Sequence, residues 1–142
     1  MAIETILLPV DFSAHSGRAL AVTLELAKAL GAKVHVFHCF QVLVGGRAPL
    51  GSTGLDPKLR EEAEAGLQQC VDQLKKAGVT VESEVLPRPY PSEAILDVAA
   101  KVQPDLIVMG TKGATGLKHI LLGSVAERII REAPCPVLTA KD

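Results

Sequence analysis

Apolar positions along this chain follow two rhythms, and the two alternate. Residues 3–10, IETILLPV, are a short apolar run closed by Asp11, which predicts a buried strand. From 16 to 30 the spacing widens to that of a helix, with Leu20, Leu24, Ala27 and Leu30 on one face and Gly31 as the stop. Residues 33–40, KVHVFHCF, return to a strand in which Val34 and Val36 face one way and Phe37 and Cys39 the other, so both sides look covered. Asp56 as N-cap and Pro57 at the first helical position introduce a second helix, whose stripe is Leu59, Ala63, Leu67, Cys70 and Leu74 and whose end is Gly78. Residues 79–86, VTVESEVL, alternate apolar and polar, as a half-exposed strand at a sheet edge does. A third helix over 92–102 turns Ile95, Val98, Ala99 and Val102 inward. Leu106 to Met109 then form a buried strand that stops at Gly110. Ser124-Val125-Ala126-Glu127 has the spacing of a capping box and opens a fourth helix, ended by Ala133-Pro134; residues 136–140 make a last strand.

Strand and helix thus alternate from end to end, with no internal repeat and no shift of composition. The reading is one α/β domain over 1–142: a parallel sheet, right-handed crossovers and helices on both faces. Ligands of such sheets sit beyond the carboxyl ends of the strands, where the strand order switches.

Composition narrows the function. Hydrophobic residues make up 48% of the 142, aromatics only 3%, and there is no Trp. The core is therefore aliphatic, and the scarcity of aromatics argues against a surface that stacks bases or flavin rings. A formal net charge of −1 gives no electrostatic case for nucleic acid or an anionic membrane. The N-terminal residues lack a basic region and a long apolar run, so neither a signal peptide nor a membrane span is expected and the cytoplasm is the default. Cys39, Cys70 and Cys135 are odd in number, widely spaced and without C-x-x-C, as reduced thiols are. Residues 41–55, rich in Gly and Pro, read as a mobile surface loop, and Arg88-Pro89-Tyr90-Pro91 as a stiff connector with Tyr90 on the surface.

The chemistry concentrates in GTKGATGLKHILLGS, residues 110–124. A strand, a glycine-rich loop and a helix N-terminus together suit phosphate, because glycine lets backbone N–H groups approach the anion and the helix dipole favours negative charge. Lys112, Lys118 and His119 add positive charge around the loop. Asp11 ends the first strand at the same rim, where a carboxylate serves a ribose hydroxyl, a phosphate-borne cation or simply the turn into the first helix. A P-loop is excluded, since G-x-x-x-x-G-K-[ST] does not occur. A dinucleotide fingerprint is excluded because no glycine precedes Gly17, and a receiver domain because Asp11 lacks its companion acids. His35 and His38 lie three apart on a strand, hence on opposite faces, and form no chelate; for His15 the sequence alone does not indicate which residue it meets.

Gly110-x2-Gly113-x9-Gly123-Ser124 resembles the G-2x-G-9x-G-[S/T] nucleotide motif of the universal stress protein family. The likeness extends to the opening ILLPVDFS, the HC after the second strand, DLIVMGTKGATGLKHILLGSVAERII and the closing APCPVL. The resemblance implies a three-layer Rossmann-like fold of the adenine nucleotide alpha hydrolase type, with a five-stranded parallel sheet in the order 3-2-1-4-5. It further implies an ATP-binding (or ADP- or AMP-binding) cytoplasmic homodimer paired through its last strand, 136–140, with Mg2+ or Mn2+ accompanying the nucleotide. Carried over by position, Pro9 and Asp11 would lie by the adenosine, Asp11 near ribose or metal, and the backbone of Cys39 would meet adenine. Gly110, Thr111, Lys112, Gly113 and Gly116 would wrap the phosphates, with Gly123, Ser124 and Val125 completing the cradle and Met109 also among the nucleotide-binding positions. No catalytic residue is expected: Arg128 and Arg131 lie beyond the first turn of the fourth helix, and no general base stands out. A nucleotide-dependent regulatory or stress-response protein is the leading reading, with an unknown protein partner. A slow ATPase acting as a timer and a nucleotide-free dimeric scaffold are the alternatives.

Overall fold

The computed structural model describes residues 2–40, 57–112 and 121–141. In chain order the elements are β1 (Thr5–Pro9), α1 (Ala14–Leu30), β2 (Lys33–Phe40), α2 (Pro57–Lys76), β3 (Val81–Pro87), α3 (Pro91–Val102), β4 (Leu106–Gly110), α4 (Ser124–Glu132) and β5 (Val137–Ala140). The strands form one sheet in the order β3-β2-β1-β4-β5. Every pairing is parallel, with Ile6 opposite Val34 on one side and Leu106 on the other. This is the three-layer Rossmann-like fold expected, and β1 and β4 flank the switch point.

Burial on both faces explains the apolar runs. On one face Ile6, Leu8, Val34, Val36 and Val108 pack with Ala19 and Leu20 of α1 and Leu67 and Leu74 of α2. On the other, Leu7, Phe37, Ile107 and Met109 pack with Ile95 and Val98 of α3 and Ile129 of α4. Alternation of side chains along a strand separates the two sets, so β2 divides its valines from Phe37 as the pattern requires.

The helix boundaries depart from expectation in instructive ways. α1 starts at Ala14, ahead of Ser16, because Ser13 adopts extended backbone and its Oγ accepts from the Ser16 N–H. Leu30 and Leu59 do not join the core: they sit in the last turn of α1 and the first turn of α2 and stay 48% and 50% exposed. The buried stripe of α1 runs instead through Ser16, Ala19, Leu20, Thr23 and Ala27, and that of α2 begins at Ala63. Tyr90 is exposed and is the residue before α3, whose first position is Pro91. The loop read over 41–55 and the Asp56 cap lie outside the described residues.

β3 is an edge strand, as its alternation predicts, with Glu82 and Ser83 exposed. Its Glu84 is bound by both the His35 imidazole Nε2 at 3.0 Å and the Lys101 ammonium at 2.8 Å from α3. Burial pushes the Glu84 carboxyl up, but the Lys101 hydrogen bonds and charge, together with His35, outweigh it and hold the group below its ordinary 4.5. A depressed acid stabilises the fold above its unfolded-state pKa and loses that contribution as pH falls through the folded one. Glu84→Gln is therefore expected to cost a few tenths to about 1 kcal/mol at neutral pH, the exposed Lys101 keeping the figure small. In urea melts the gap to the parent should close below pH 4.5; a gap constant down to pH 3 would refute the assignment.

Candidate functional site

The site begins where β1 ends. Val10 still continues the ladder, its N–H donating to Phe37 O at 2.8 Å. The chain then turns, and Asp11 directs the turn: its Oδ1 accepts from the Ser13 N–H at 3.0 Å and from the Ser13 hydroxyl. The Asp11 N–H donates to Ser16 Oγ at 3.1 Å, and Ser13 Oγ caps α1. Between these bonds Phe12 holds φ at 65°, the left-handed region, which costs a non-glycine residue roughly 1–2 kcal/mol. Asp11 thus performs the turn role open to it from sequence, and does so at the rim where a ligand would sit.

β4 ends against the start of α1. A Cβ on Gly110 would stand 2.8 Å from both the carbonyl carbon and the Cβ of His15, so only glycine fits. Thr111 then ties three elements together. Its N–H donates to Ala140 O of β5 at 2.9 Å, its carbonyl accepts from the Gly123 N–H at 2.7 Å, and its Oγ1 lies 3.5 Å from His15 Nδ1.

That bond to Gly123 decides how α4 begins. Gly123 is extended and is the N-cap, its carbonyl accepting the Glu127 N–H, with no side chain capping the helix. Ser124 is therefore the first helical residue, and the capping box read from the sequence does not form; Glu127 pairs with Arg131 one turn on. In consequence the first N–H groups of α4, at Ser124, Val125 and Ala126, have no acceptor within the helix. The N-terminus of α1 is closed by its own serine, whereas among the described residues no side chain caps that of α4.

It opens on a cavity of about 360 Å³. Nine of the residues singled out from the sequence line it: Pro9, Asp11, Cys39, Met109, Gly110, Lys112, Gly123, Ser124 and Val125. Thr111 is buried behind the wall that it helps to hold, and Gly113 and Gly116 lie outside the described residues, as do Lys118 and His119. Sequence reasoning missed Val10, Ser16, Phe37, Pro91, Ile95 and Ala126. The parity of Phe37 with Cys39 along β2 was the signal available for one of them. The lining mixes apolar residues, Val10, Phe37, Cys39, Pro91, Ile95 and Met109, with polar groups from Asp11, Ser16, Lys112 and the start of α4.

Charge around the cavity is limited. Burial pushes the Cys39 thiol above its ordinary 9.0, and its Sγ donates weakly to Arg88 O at 3.5 Å, so the side chain is a neutral wall. Arg128 is bound to Glu132 and Ser92, and Arg131 to Glu127 and Glu132. Neither lines the cavity. Among the described residues no cluster of three or more His, Cys, Asp or Glu side chains could hold a metal ion unaided.

The start of α4 and the ends of β1 and β4 thus meet at a cavity at the switch point of a parallel sheet, the place where domains of Rossmann-like fold take their ligands. The chain belongs to the universal stress protein family, whose profile matches residues 2–141. Universal stress protein MJ0531 of Methanocaldococcus jannaschii is 38% identical over 140 residues, 97% of this chain and 82% of that protein. The solved structure of hypothetical protein MJ0577 of the same organism superposes with a TM-score of 0.83 at 30% identity, covering 100% of this chain and 98% of the other. The universal stress protein from Archaeoglobus fulgidus, solved in complex with dAMP, gives 0.73 at 29% identity, covering 99% and 100%. Among the described residues no helix is long and apolar enough to cross a membrane.

Proposed function

We propose that the cavity binds an adenine nucleotide, ATP foremost and ADP or AMP by the same contacts, and that the protein is a cytoplasmic nucleotide-dependent regulator in a stress response. The observation that carries this reading is the uncapped N-terminus of α4 opening into the cavity beside Gly110 and Lys112. Three N–H groups without an acceptor inside the helix, and a helix dipole, favour a phosphate there. The apolar lining residues take the base, with the Cys39 backbone at its edge, and Asp11 faces the ribose. Pro9 lies by the adenosine, Met109 lines the same cavity, Thr111 secures the wall, and Gly113, Gly116, Gly123, Ser124 and Val125 complete the cradle. The dAMP complex of the A. fulgidus protein supports the ligand class.

A divalent cation, Mg2+ or Mn2+, would arrive with the phosphates and supply charge neutralisation. Among the described residues Asp11 is the one carboxylate on the cavity wall, and its Oδ1 already serves Ser13, so the cation's remaining ligands would come from nucleotide and water. The place of β5 at a sheet edge, which a second copy would cover, supports homodimerisation through it. Hydrolysis is a lesser reading, since both nearby arginines of α4 are engaged elsewhere and, among the described residues, the one carboxylate on the wall, Asp11, is already committed to the turn into α1.

Calorimetric titration is expected to show one site per chain for ATP, ADP, AMP and dAMP, with Kd roughly micromolar, near −8 kcal/mol. Absence of heat with all four would refute the reading and leave a dimeric scaffold. Single-turnover reactions with radiolabelled ATP are expected to release product no faster than buffer; faster release would establish the timer instead.

A further inference from the structure

The β1–α1 turn works on two faces at once. Asp11 lines the cavity, whereas the next residue, Phe12, turns to α2. A Cβ built on Gly66 would stand 2.8 to 3.0 Å from the Cζ, Cε1 and Cε2 atoms of the Phe12 ring. The ring also lies with its centroid 4.4 Å from that of His38. His38 is itself fixed, since its Nδ1–H donates to the Val10 carbonyl at 2.7 Å. Neither Phe12, His38 nor Gly66 lines the cavity.

Two features of Phe12 are not explained by packing alone. It is 45% exposed, so burial gives little return, yet its φ of 65° is strained. Gly66 is similarly out of place, because glycine is a poor helix former in the interior of α2. The two anomalies explain each other: the bare Gly66 backbone is the seat of the ring tip.

We infer that Phe12 is a positioning residue for Asp11: seated on Gly66 and His38, its ring fixes the left-handed turn that presents the Asp11 carboxylate to the nucleotide. This rests on the proposed nucleotide site. Adjacent residues cannot move independently across one strained peptide, so displacing the ring rotates Asp11 away from the Ser13 and Ser16 bonds that orient it. There is room for the displacement. A second cavity of about 240 Å³ borders Phe12, Ser13, Ser16, Leu20 and Gly66, so the ring can shift without unfolding α2.

The test uses Gly66→Ala, which improves helix propensity while filling the seat, and Phe12→Leu, which leaves α2 untouched. In the unliganded protein both are expected to shift the amide resonances of Asp11, Ser13 and Ser16 while those of β4 stay in place. With dAMP as probe, affinity is expected to fall about tenfold, the size of one weakened charged hydrogen bond. In an Asp11→Ala background Gly66→Ala should cost nothing further, because the effect runs through that carboxylate. Unmoved turn amides in both variants, or an undiminished loss in the Asp11→Ala background, would overturn the inference. Should the parent not bind dAMP at all, the nucleotide reading fails, and the amide shifts alone decide whether Phe12 sets the Asp11 turn.

Discussion

Gly110→Val is expected to bind no dAMP at concentrations that saturate the parent, and to unfold at a clearly lower urea concentration. The reason is local and steric. The first atom added at this position meets the His15 carbonyl carbon and Cβ at 2.8 Å and the carbonyl oxygen at 3.1 Å. Those are mainly backbone atoms of the first turn of α1, and that turn is fixed by the Ser13 cap and by the Gly17 N–H donating to Ser13 O. It cannot yield as a side-chain tip would. A β-branch enlarges the clash, and overpacking of this kind costs about 1–3 kcal/mol or more. The displacement falls on β4 beside Thr111, whose bonds to Ala140 and Gly123 set the start of α4. Stability and cradle are therefore lost together. Gly17→Ala is the matched control: no atom lies within 4 Å of its added Cβ, and alanine should raise helix stability by up to about 1 kcal/mol without touching affinity. A folded Gly110→Val protein with parental affinity would show that the close approach of β4 to α1 does not shape the site.

What could be read in advance follows from what each signal depends on. The sheet was legible because apolar runs such as LIVM before Gly110 are buried on both faces whatever packs there, and because the alternation of VTVESEVL suits a half-exposed edge strand. The rim was legible by residue type, since Asp11 and the glycines of 110–124 stand out against an aliphatic chain. The apolar wall was not. Ile95 was read as core, and it is 4% exposed, yet it also borders the cavity; no local pattern distinguishes a core contact from a cavity wall. The capping box shows the opposite failure. Its spacing is present, but the Thr111 carbonyl claims the Gly123 N–H and shifts the cap by one residue. Leu30 and Leu59 fit a helical stripe and still face out, because the stripe says nothing about where along the helix its neighbours end. Gly66 could not be interpreted without Phe12, far away in sequence and adjacent only in the fold.

Asp11 separates the turn from the ligand in a pair of variants. Asp11→Asn keeps an oxygen where Oδ1 accepts the Ser13 N–H and hydroxyl, so the turn and the α1 cap should survive and stability should change by less than about 0.5 kcal/mol. It removes the negative charge. If that charge assists a phosphate-borne cation, ATP affinity with Mg2+ present should fall roughly tenfold or more, while affinity in EDTA changes little. Asp11→Ala removes acceptor and charge together. It should lose about 1 kcal/mol of stability through the turn and weaken ATP under both conditions, by roughly tenfold to a hundredfold in all, because a ribose hydroxyl also loses its partner. The two contributions are distinguished by ligand as well: a 2′,3′-dideoxy analogue should be insensitive to the change from Asn to Ala if the ribose contact is what Asn retains. Equal losses for both variants, with and without Mg2+ and with either sugar, would leave Asp11 as the residue that turns β1 into α1 and nothing more.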